Sequence, residues 1–351
     1  MGAGYSKLRM KKIIAFYFFC SIWINAFSQE TKNGHSFSGN EKLKKEFKYL
    51  ALSGGLSASS YFGDLRTPGF EKLFHTRSTD VSLSATLDLK ISKRIVLSSG
   101  IAWVRLTSDD FYLTETSNEE GLKNYVRNLS FRNDLFEWSM IARYQLKKNS
   151  YSYQERPFFT PYIFLGVGIF YHNPKARIPE FNLRGERFEN SGQWTSLRPL
   201  GTEGQLSPNH NIKTYSYFQP VIPVGLGITF KINPLLDLSF ETSFRYTFTD
   251  YLDDVSLQYV DLGSLDGDLA KALSYRSGEV NSSNGRNPRN FELIYSYTSP
   301  VVYNSPIDGN NYQVVEGFGN EGEIRGDEQK NDFFILTGIR LTYILAAKKN
   351  K

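Results

Sequence analysis

The chain has little of what most catalytic and metal sites are built from. Its one cysteine, Cys20, lies in an N-terminal segment with the pattern of a cleaved signal peptide, so the mature chain is expected to contain no disulfide and no thiolate metal site. The four histidines, His35, His75, His172 and His210, show no short spacing typical of metal ligands. The sequence also lacks a nucleophile-elbow motif and a P-loop. We therefore predict no enzymatic activity and no cofactor.

Long apolar runs are scarce as well. A helix needs roughly 20 apolar residues to span a bilayer, and no segment beyond the N-terminus approaches that length. At the N-terminus, four basic residues precede a short apolar run, 13–23, and a small-residue cleavage site at Ala26 to Ser28; they are Lys7, Arg9, Lys11 and Lys12. This pattern predicts a signal peptide over residues 1–28. An exported chain without a spanning helix can cross a membrane only as a closed barrel.

The mature chain has almost no excess of charge of either sign. The 41 Lys and Arg residues and the 36 Asp and Glu residues give a net charge of +5, and four of the basic residues leave with the predicted signal peptide. The remaining chain is close to neutral, so its composition does not predict binding to nucleic acid. Aromatic residues are plentiful, with 27 Phe and 22 Tyr beside 28 Gly, which fits a β-rich chain with aromatic girdles.

Alternation of apolar and polar residues is the strongest pattern in the chain. From Leu236 to Phe248 every second residue is apolar or a threonine, and the residues between them are polar or charged. A period of two places successive side chains on opposite faces of a strand. Eight segments alternate in this way: 49–64, 80–90, 95–107, 131–146, 160–172, 217–231, 236–249 and 332–345. We predict one strand in each.

The connections between these strands alternate in length. Segments 91–94 and 233–235 are tight turns and 147–157 is moderate, whereas 65–79, 108–130, 173–216 and 250–331 are long. Short periplasmic turns and long extracellular loops are typical of outer-membrane barrels. We therefore predict an all-β fold, an eight-stranded antiparallel transmembrane β-barrel over residues 48–347 in the outer membrane and in contact with its lipid. Residues 29–47 would form a periplasmic N-terminal segment and residues 348–351 a C-terminal tail.

The polar face of the predicted strands carries charges that would point into the barrel. Eight strands leave a lumen that side chains just fill, so these charges are expected to pair there and plug it, with glycines opposite them leaving room. The predicted interior charges are Glu137, Arg143, Lys231, Glu241, Arg245 and Arg340. In the last loop, 266–275 reads as a short helix and 291–303 as an extra hairpin.

Two local features admit a functional interpretation, but a structural one fits each better. Asp250, Asp253, Asp254 and Asp261 supply oxygen ligands of the kind that Ca²⁺ prefers, yet they lack a regular calcium-loop spacing and are commonly solvated or capping groups at a strand end. His172 lies near the outer end of a predicted strand, where a few barrel enzymes place a catalytic histidine. No serine or carboxylate partner follows from the sequence, so a loop or girdle histidine is the better interpretation.

Several stretches together resemble a known family. They are 60–65 (SYFGDL), 127–137 (RNLSFRNDLFE), 160–166 with 172–175, 200–205 (LGTEGQ) and 245–255 (RYTFTDYLDDV), and their order and spacing are similar to those of the PorG-type outer-membrane barrels of Bacteroidota. The residues that carry the resemblance most clearly are Tyr61, Gly63, Asp64, Asn133, Asp134, Asp250, Tyr251, Asp253 and Asp254. Segment 281–323 departs from the shorter pattern of the family.

The resemblance implies an eight-stranded outer-membrane barrel without catalytic residues. One member of the family belongs to the type IX protein secretion machinery and associates with a periplasmic ring that contains a lipoprotein. The resemblance therefore implies a non-enzymatic anchor or accessory component of that machinery, with the ring lipoprotein as partner. The alternative is an independent surface barrel that binds a solute, a glycan or another cell through its large extracellular loops.

Overall fold

The computed structural model describes residues 49–65, 79–113, 118–148, 153–328 and 330–345. The predicted signal peptide, the segment 29–47 and the tail 348–351 lie outside these residues. In the described part of the chain, every helix is too short or too polar to cross a membrane.

Eight long strands form one closed antiparallel sheet. They are β1 (Tyr49–Phe62), β2 (Thr79–Lys90), β3 (Ile95–Asp109), β4 (Ser130–Gln145), β5 (Phe159–Tyr171), β8 (Phe218–Lys231), β9 (Leu236–Thr247) and β12 (Phe333–Leu345). Neighbours pair in the order β3-β2-β1-β12-β9-β8-β5-β4, and a pairing of β3 with β4 closes the circle. The predicted fold class is confirmed. The first and last residues of each predicted strand lie within two residues of those observed.

The two faces of the barrel wall differ as the alternation predicts. Outward side chains such as Ile101, Val167 and Leu226 are each more than 60% exposed, whereas Val104 and Leu135, one residue out of phase, are fully buried inside. An apolar belt around a closed barrel is stable only against lipid, because water would face a large hydrophobic surface. The protein is an outer-membrane β-barrel. We call the end that carries the long loops the outer mouth.

The long loops fold into short elements of their own. These are α1 (Asp110–Leu113), α2 (Glu119–Arg127), β6 (Lys175–Arg177), β7 (Trp194–Ser196), α3 (Gly267–Ser274), α4 (Phe291–Tyr297), β10 (Pro300–Asn304) and β11 (Asn311–Val315), with 3-10 turns at Tyr153–Glu155 and Leu262–Ser264. α2 begins where the side chain of Asn118 accepts a hydrogen bond from Gly121 N at 2.7 Å, and it ends at Asn128, whose φ is 60°. Such caps provide hydrogen-bond partners for the backbone groups at helix ends, which have none within the helix.

The predicted helix in the last loop is present as α3, but the predicted hairpin over 291–303 is only partly right. Its first half forms α4, and the hairpin pairs β10 with β11 instead. The side chain of Asn290 caps α4 by accepting a hydrogen bond from Leu293 N at 3.2 Å, and Ile294 is fully buried. An N-cap and a single inward apolar stripe favour a helix over a strand.

The loops pack on one another around a buried apolar core of their own. Tyr125 and Val126 of α2 meet Tyr259 and Phe318 of the last loop, and all four are buried. We call the described residues of 110–129, 173–216 and 250–331 the cap. Another apolar core lies directly below the cap, inside the outer half of the barrel, and it includes Leu252 of the cap. The cap is thus continuous with the packed interior of the barrel.

Candidate functional site: the lumen and the capped outer mouth

Asp88 lies at the centre of a charged network in the inner half of the lumen. Its carboxylate accepts hydrogen bonds from the hydroxyls of Ser53 and Ser98. Arg143 Nη1 lies 3.2 Å from Oδ1, and Arg340 Nη1 lies 3.3 Å from Oδ2. Two guanidiniums on one buried carboxylate hold strands β2, β4 and β12 together across the barrel.

Further acidic groups complete the pairing inside the lumen. Glu241 lies 3.8 Å from Arg143 Nε and 3.9 Å from Arg340 Nε, and it accepts a hydrogen bond from the Tyr162 hydroxyl at 2.8 Å. Glu137 pairs with Arg245 at 3.0 Å, where both side chains are almost fully buried.

The structure therefore brings five of the six predicted interior charges into ion pairs. The sixth, Lys231, lies apart at the inner end of β8, where its ammonium donates to the carbonyl of Gln154. Asp88, the residue that joins the network, was missed in the sequence analysis. Its signal was available, since it is an acidic residue at an inward position of the alternation in β2.

Aromatic rings fill the lumen beside this network. A Cβ added at Gly225 would lie 2.4 Å from the Phe164 ring, and one at Gly227 would lie 2.5 Å from the Tyr162 ring. The glycines thus make room for rings rather than for the long charged side chains that the sequence analysis expected. A cavity of about 50 Å³ remains next to Asp88 at the inner end. The lumen is occupied by side chains along its charged half.

Carboxylic acids cluster at the outer mouth, where the cap meets the barrel. The Tyr61 hydroxyl lies 2.6 Å from Asp253 Oδ2 and 3.0 Å from Asp332 Oδ1. A phenol has one proton to donate, so hydrogen bonds to both acids require one of the acids to be protonated. Burial, with the charge of nearby carboxylates added to it, raises the pKa of both Asp253 and Asp332 well above the usual value.

Two further aspartates of the cluster are also shifted. Burial raises the pKa of Asp250 to about 9, although the Ser256 side chain lowers the value. Burial raises the pKa of Asp254 to about 7, although Thr202 and Tyr215 donate to it at 2.5 and 2.6 Å and Arg325 lowers the value. At pH 7 Asp250 is therefore mostly protonated and Asp254 about half protonated, at buried positions of the outer mouth.

One buried ion pair fixes the cap above the acids. Arg325 Nη1 lies 2.6 Å from Glu203 Oε1 and donates to the carbonyl of Asp254 at 2.9 Å. The same Glu203 oxygen accepts hydrogen bonds from the backbone amides of Ser256 and Leu257. The loops 173–216 and 250–331 are held to each other at this point.

The structure places eight of the nine residues that carry the family resemblance around the outer mouth. Asn133 donates to the carbonyl of Leu252 at 2.7 Å, Tyr251 stacks on Tyr215 at 4.7 Å, and Asp64 accepts from Asp327 N at 3.0 Å. Gly63 lies so close to Asp332 and Tyr61 that any Cβ would collide with them. Tyr61, Asp250, Asp253 and Asp254 belong to the acid cluster described above.

The ninth, Asp134, lies on the outer wall between Arg105 and Arg132. Asp332, Glu203 and Arg325 were missed at the outer mouth. Only contacts between residues far apart in sequence reveal them.

The calcium hypothesis receives no support from the arrangement of its residues. Asp261 accepts hydrogen bonds from Gly263 N, the Tyr303 hydroxyl and the Ser305 hydroxyl, so it caps a 3-10 turn within the cap. Asp254 is bonded to Thr202 and Tyr215. Among the described residues, no group of three or more His, Asp or Glu side chains is placed to hold a metal ion.

His172 is a packing residue at the outer end of β5. It is fully buried, its Nε2 donates to the carbonyl of Ser216 at 2.9 Å, and its Nδ1 lies 3.5 Å from Asn133 Nδ2. Burial lowers its pKa to about 4, and Arg198 contributes to the shift, so the ring is neutral at pH 7. Its side-chain partners in the described chain are the Asn133 amide and the Ser216 carbonyl, whereas a catalytic histidine pairs with a nucleophile or a carboxylate.

Comparison with known proteins adds little beyond this geometry. No protein-family model and no curated protein matches the chain. Among solved structures, it is similar to Neisserial surface protein A, with 8% identity, a TM-score of 0.34, and coverage of 84% of this chain and 96% of that one.

Two other solved structures show a likeness of the same order. The outer membrane protein OprG from Pseudomonas aeruginosa shares 10% identity, with a TM-score of 0.32 and coverage of 85% and 97%. A major outer membrane protein from Thermus thermophilus shares 12% identity, with a TM-score of 0.32 and coverage of 85% and 99%. At such scores these likenesses carry no argument about function, and the barrel assignment rests on its own strand pairing.

Proposed function

We propose that the protein is a closed, non-enzymatic outer-membrane barrel that binds a macromolecular partner instead of conducting solutes. The observation that supports this most directly is the Asp88 network, which spans the lumen with buried ion pairs. A solute path would have to break several of these pairs at once, and the removal of one partner from a buried pair costs about 3 to 5 kcal/mol. The function therefore lies at the two ends of the barrel.

Our first candidate is an anchor or accessory component of type IX secretion with the periplasmic ring lipoprotein as partner. It is supported by the family resemblance, whose segments include residues that hold the cap onto the barrel, such as Tyr61 and Asp253. In this role the short periplasmic turns and the segment 29–47 bind the partner on the periplasmic side. The partner would then be recovered with the protein from cross-linked outer membranes.

The second candidate is a surface receptor that acts through the cap. A specific observation favours it, because the cap has its own buried core around Tyr125 and Tyr259 and a hairpin, β10–β11, whose tip is exposed. Binding residues are found disproportionately on loops that a rigid scaffold positions. A rigid cap of this kind suits recognition of a glycan or of a protein on another cell.

One pair of insertions separates the two candidates. The same short epitope is placed after Pro234, in the exposed turn before β9, or after Gly309, in the exposed tip between β10 and β11. Full-length protein is then captured from cross-linked outer membranes, and its partners are identified by mass spectrometry. The first candidate predicts that the ring lipoprotein is recovered in stoichiometric amounts, that it is lost with the Pro234 insertion, and that it is retained with the Gly309 insertion.

The same epitopes test the orientation of the barrel. An antibody should label the Gly309 insertion on intact cells and the Pro234 insertion only on permeabilised cells. The reverse pattern would contradict the assignment of the cap to the outside. Absence of the ring lipoprotein from a folded and abundant protein would reject the first candidate, and loss of cell or glycan binding with the Gly309 insertion alone would support the second.

A further inference from the structure

A group of cations lies on the outer wall of the barrel, just beyond its aromatic belt. On β3 and β4 the residues Trp103 and Phe136 are paired, and the next outward pair towards the outer mouth is Arg105 with Asp134. Val104 and Leu135 between them are fully buried, so the paired residues face outward. The outward side chains therefore change from aromatic to charged between two successive outward positions of each strand.

The short strand β6 extends this basic surface. Lys175 pairs with Arg132 of β4, and Arg177 follows on the same face because Ala176 between them is buried in the cap. The guanidiniums of Arg132 and Arg177 lie 5.7 and 4.8 Å from the centre of the Trp194 ring. Stacking of two arginines on one tryptophan fixes the guanidinium planes in advance of any ligand.

The charges in this basic sector do not cancel. It contains the cations Arg105, Arg132, Lys175 and Arg177. Asp134 accepts from both Arg105 and Arg132 at 2.7 Å, and Asp80 nearby accepts from Thr107 at 2.6 Å. Among the residues that the structure describes, four cations of this sector face two carboxylates. The side chains of Arg105 and Arg132 remain 32% and 29% exposed, so donors are left for a further anion.

An apolar groove begins directly below the cations on the same wall. Its volume is about 580 Å³, and its lining includes Leu83, Ile101, Trp103, Phe136, Trp138 and Tyr171. The Arg105 guanidinium lies 5.0 Å from the centre of the Trp103 ring, so the cations and the groove meet at one residue. On the opposite wall the corresponding outward positions are aromatic, with Phe62 stacked on Phe333 at 4.8 Å. At that position the described wall presents aromatic rings in place of the cations.

We propose that this sector binds a lipid of the outer leaflet that bears phosphate on its headgroup. Arg105, Arg132, Lys175 and Arg177 hold the phosphate, and an acyl chain lies in the groove below. A bidentate arginine contact suits phosphate oxygens, and basic pockets at this depth of a membrane protein recognise lipid headgroups. An amphiphile with an anionic head matches both halves of the site at once. The inference needs the outer-membrane location and the placement of the cap on the outside, and it is independent of the proposed role in secretion.

The test is a lipid titration of the purified full-length protein in detergent micelles, followed by native mass spectrometry. The probes are diphosphoryl lipid A, the same lipid without its phosphates, and inorganic phosphate. We expect the double variant Arg132→Gln/Lys175→Gln to weaken binding of diphosphoryl lipid A by about tenfold or more, because two charge-assisted contacts are lost. The matched control Arg184→Gln/Arg187→Gln removes two exposed cations of the cap and should leave binding unchanged.

A second variant tests the groove without touching the cations. Ala85 lies in the lining of the groove, and Ala85→Trp would fill it. We expect this variant to weaken binding of diphosphoryl lipid A while the basic sector stays intact, and circular dichroism verifies that each variant is folded. Equal binding by the cation variant and its control would overturn the proposal. So would displacement of the lipid by millimolar inorganic phosphate together with no effect of Ala85→Trp, since the sector would then be a free-anion site only.

Discussion

Replacement of Asp88 by asparagine should destabilise the barrel more than most single substitutions. Asp88 is 4% exposed and faces two guanidiniums, Arg143 at 3.2 Å and Arg340 at 3.3 Å. Without its charge, both arginines are left with Glu241, which lies 3.8 Å from Arg143 and 3.9 Å from Arg340. One buried positive charge is then uncompensated, and a broken buried pair costs about 3 to 5 kcal/mol.

The assay is urea unfolding of the refolded protein in lipid vesicles, with the free energy of unfolding obtained from tryptophan fluorescence. The double variant Asp88→Asn/Arg340→Gln restores the balance of charge, so it should recover at least half of the loss caused by Asp88→Asn alone. Additive losses in the double variant, or a loss below 1 kcal/mol for Asp88→Asn, would refute the reasoning, because both would mean that the pair is not coupled in the lumen.

Three more predictions follow from the wall, the lumen and the mouth. Leu226→Arg should lower the free energy of unfolding in vesicles by about 2 to 4 kcal/mol because the side chain faces lipid. The control Val280→Arg, on the exposed surface of the cap, should change it by less than about 0.5 kcal/mol. Equal losses for the two variants would reject the assignment of the lipid-facing side. Gly225→Val should cost about 1 to 3 kcal/mol because its side chain would collide with an aromatic ring, and unchanged unfolding would mean that the lumen is looser than described. The pKa of Asp250 is raised to about 9 and that of Asp254 to about 7, so the folded protein binds protons that the unfolded chain has released. The free energy of unfolding should therefore fall as the pH rises from about 4 to about 9. In urea titrations, Asp250→Asn should flatten this decline between about pH 7 and 9, and parallel curves for the variant and the unchanged protein would contradict the prediction.

The barrel could be predicted from the sequence because its signal is local. Each strand shows its own alternation, and the position of a residue in that alternation decides whether it faces lipid or lumen. The same local information identified Arg143 and Arg340 as inward charges. It could not join them through Asp88, because Asp88 is 55 residues from Arg143 and 252 from Arg340 in the sequence. The sign and position of each charge were readable, but its partner was not.

The cap was harder to predict for the same physical reason. Arg289 donates to the carbonyls of Tyr125 and Val126 over 164 and 163 residues, and Arg325 reaches Glu203 over 122. Local periodicity contains no trace of such contacts. The helix α4 is a different case, because Asn290 in front of an amphipathic run is a local N-cap signal that the prediction of a hairpin overlooked.

The acid cluster explains how a polar cap can be seated on an apolar barrel core. Asp332 precedes β12 and Asp253 belongs to the last loop, yet both meet Tyr61 of β1 in a fully buried position. Two ionised carboxylates there would repel each other without water to screen them, whereas a protonated acid donates the hydrogen bond that the arrangement needs. The contact of the cap with Tyr61 therefore depends on a protonated acid, and it should weaken as the pH rises.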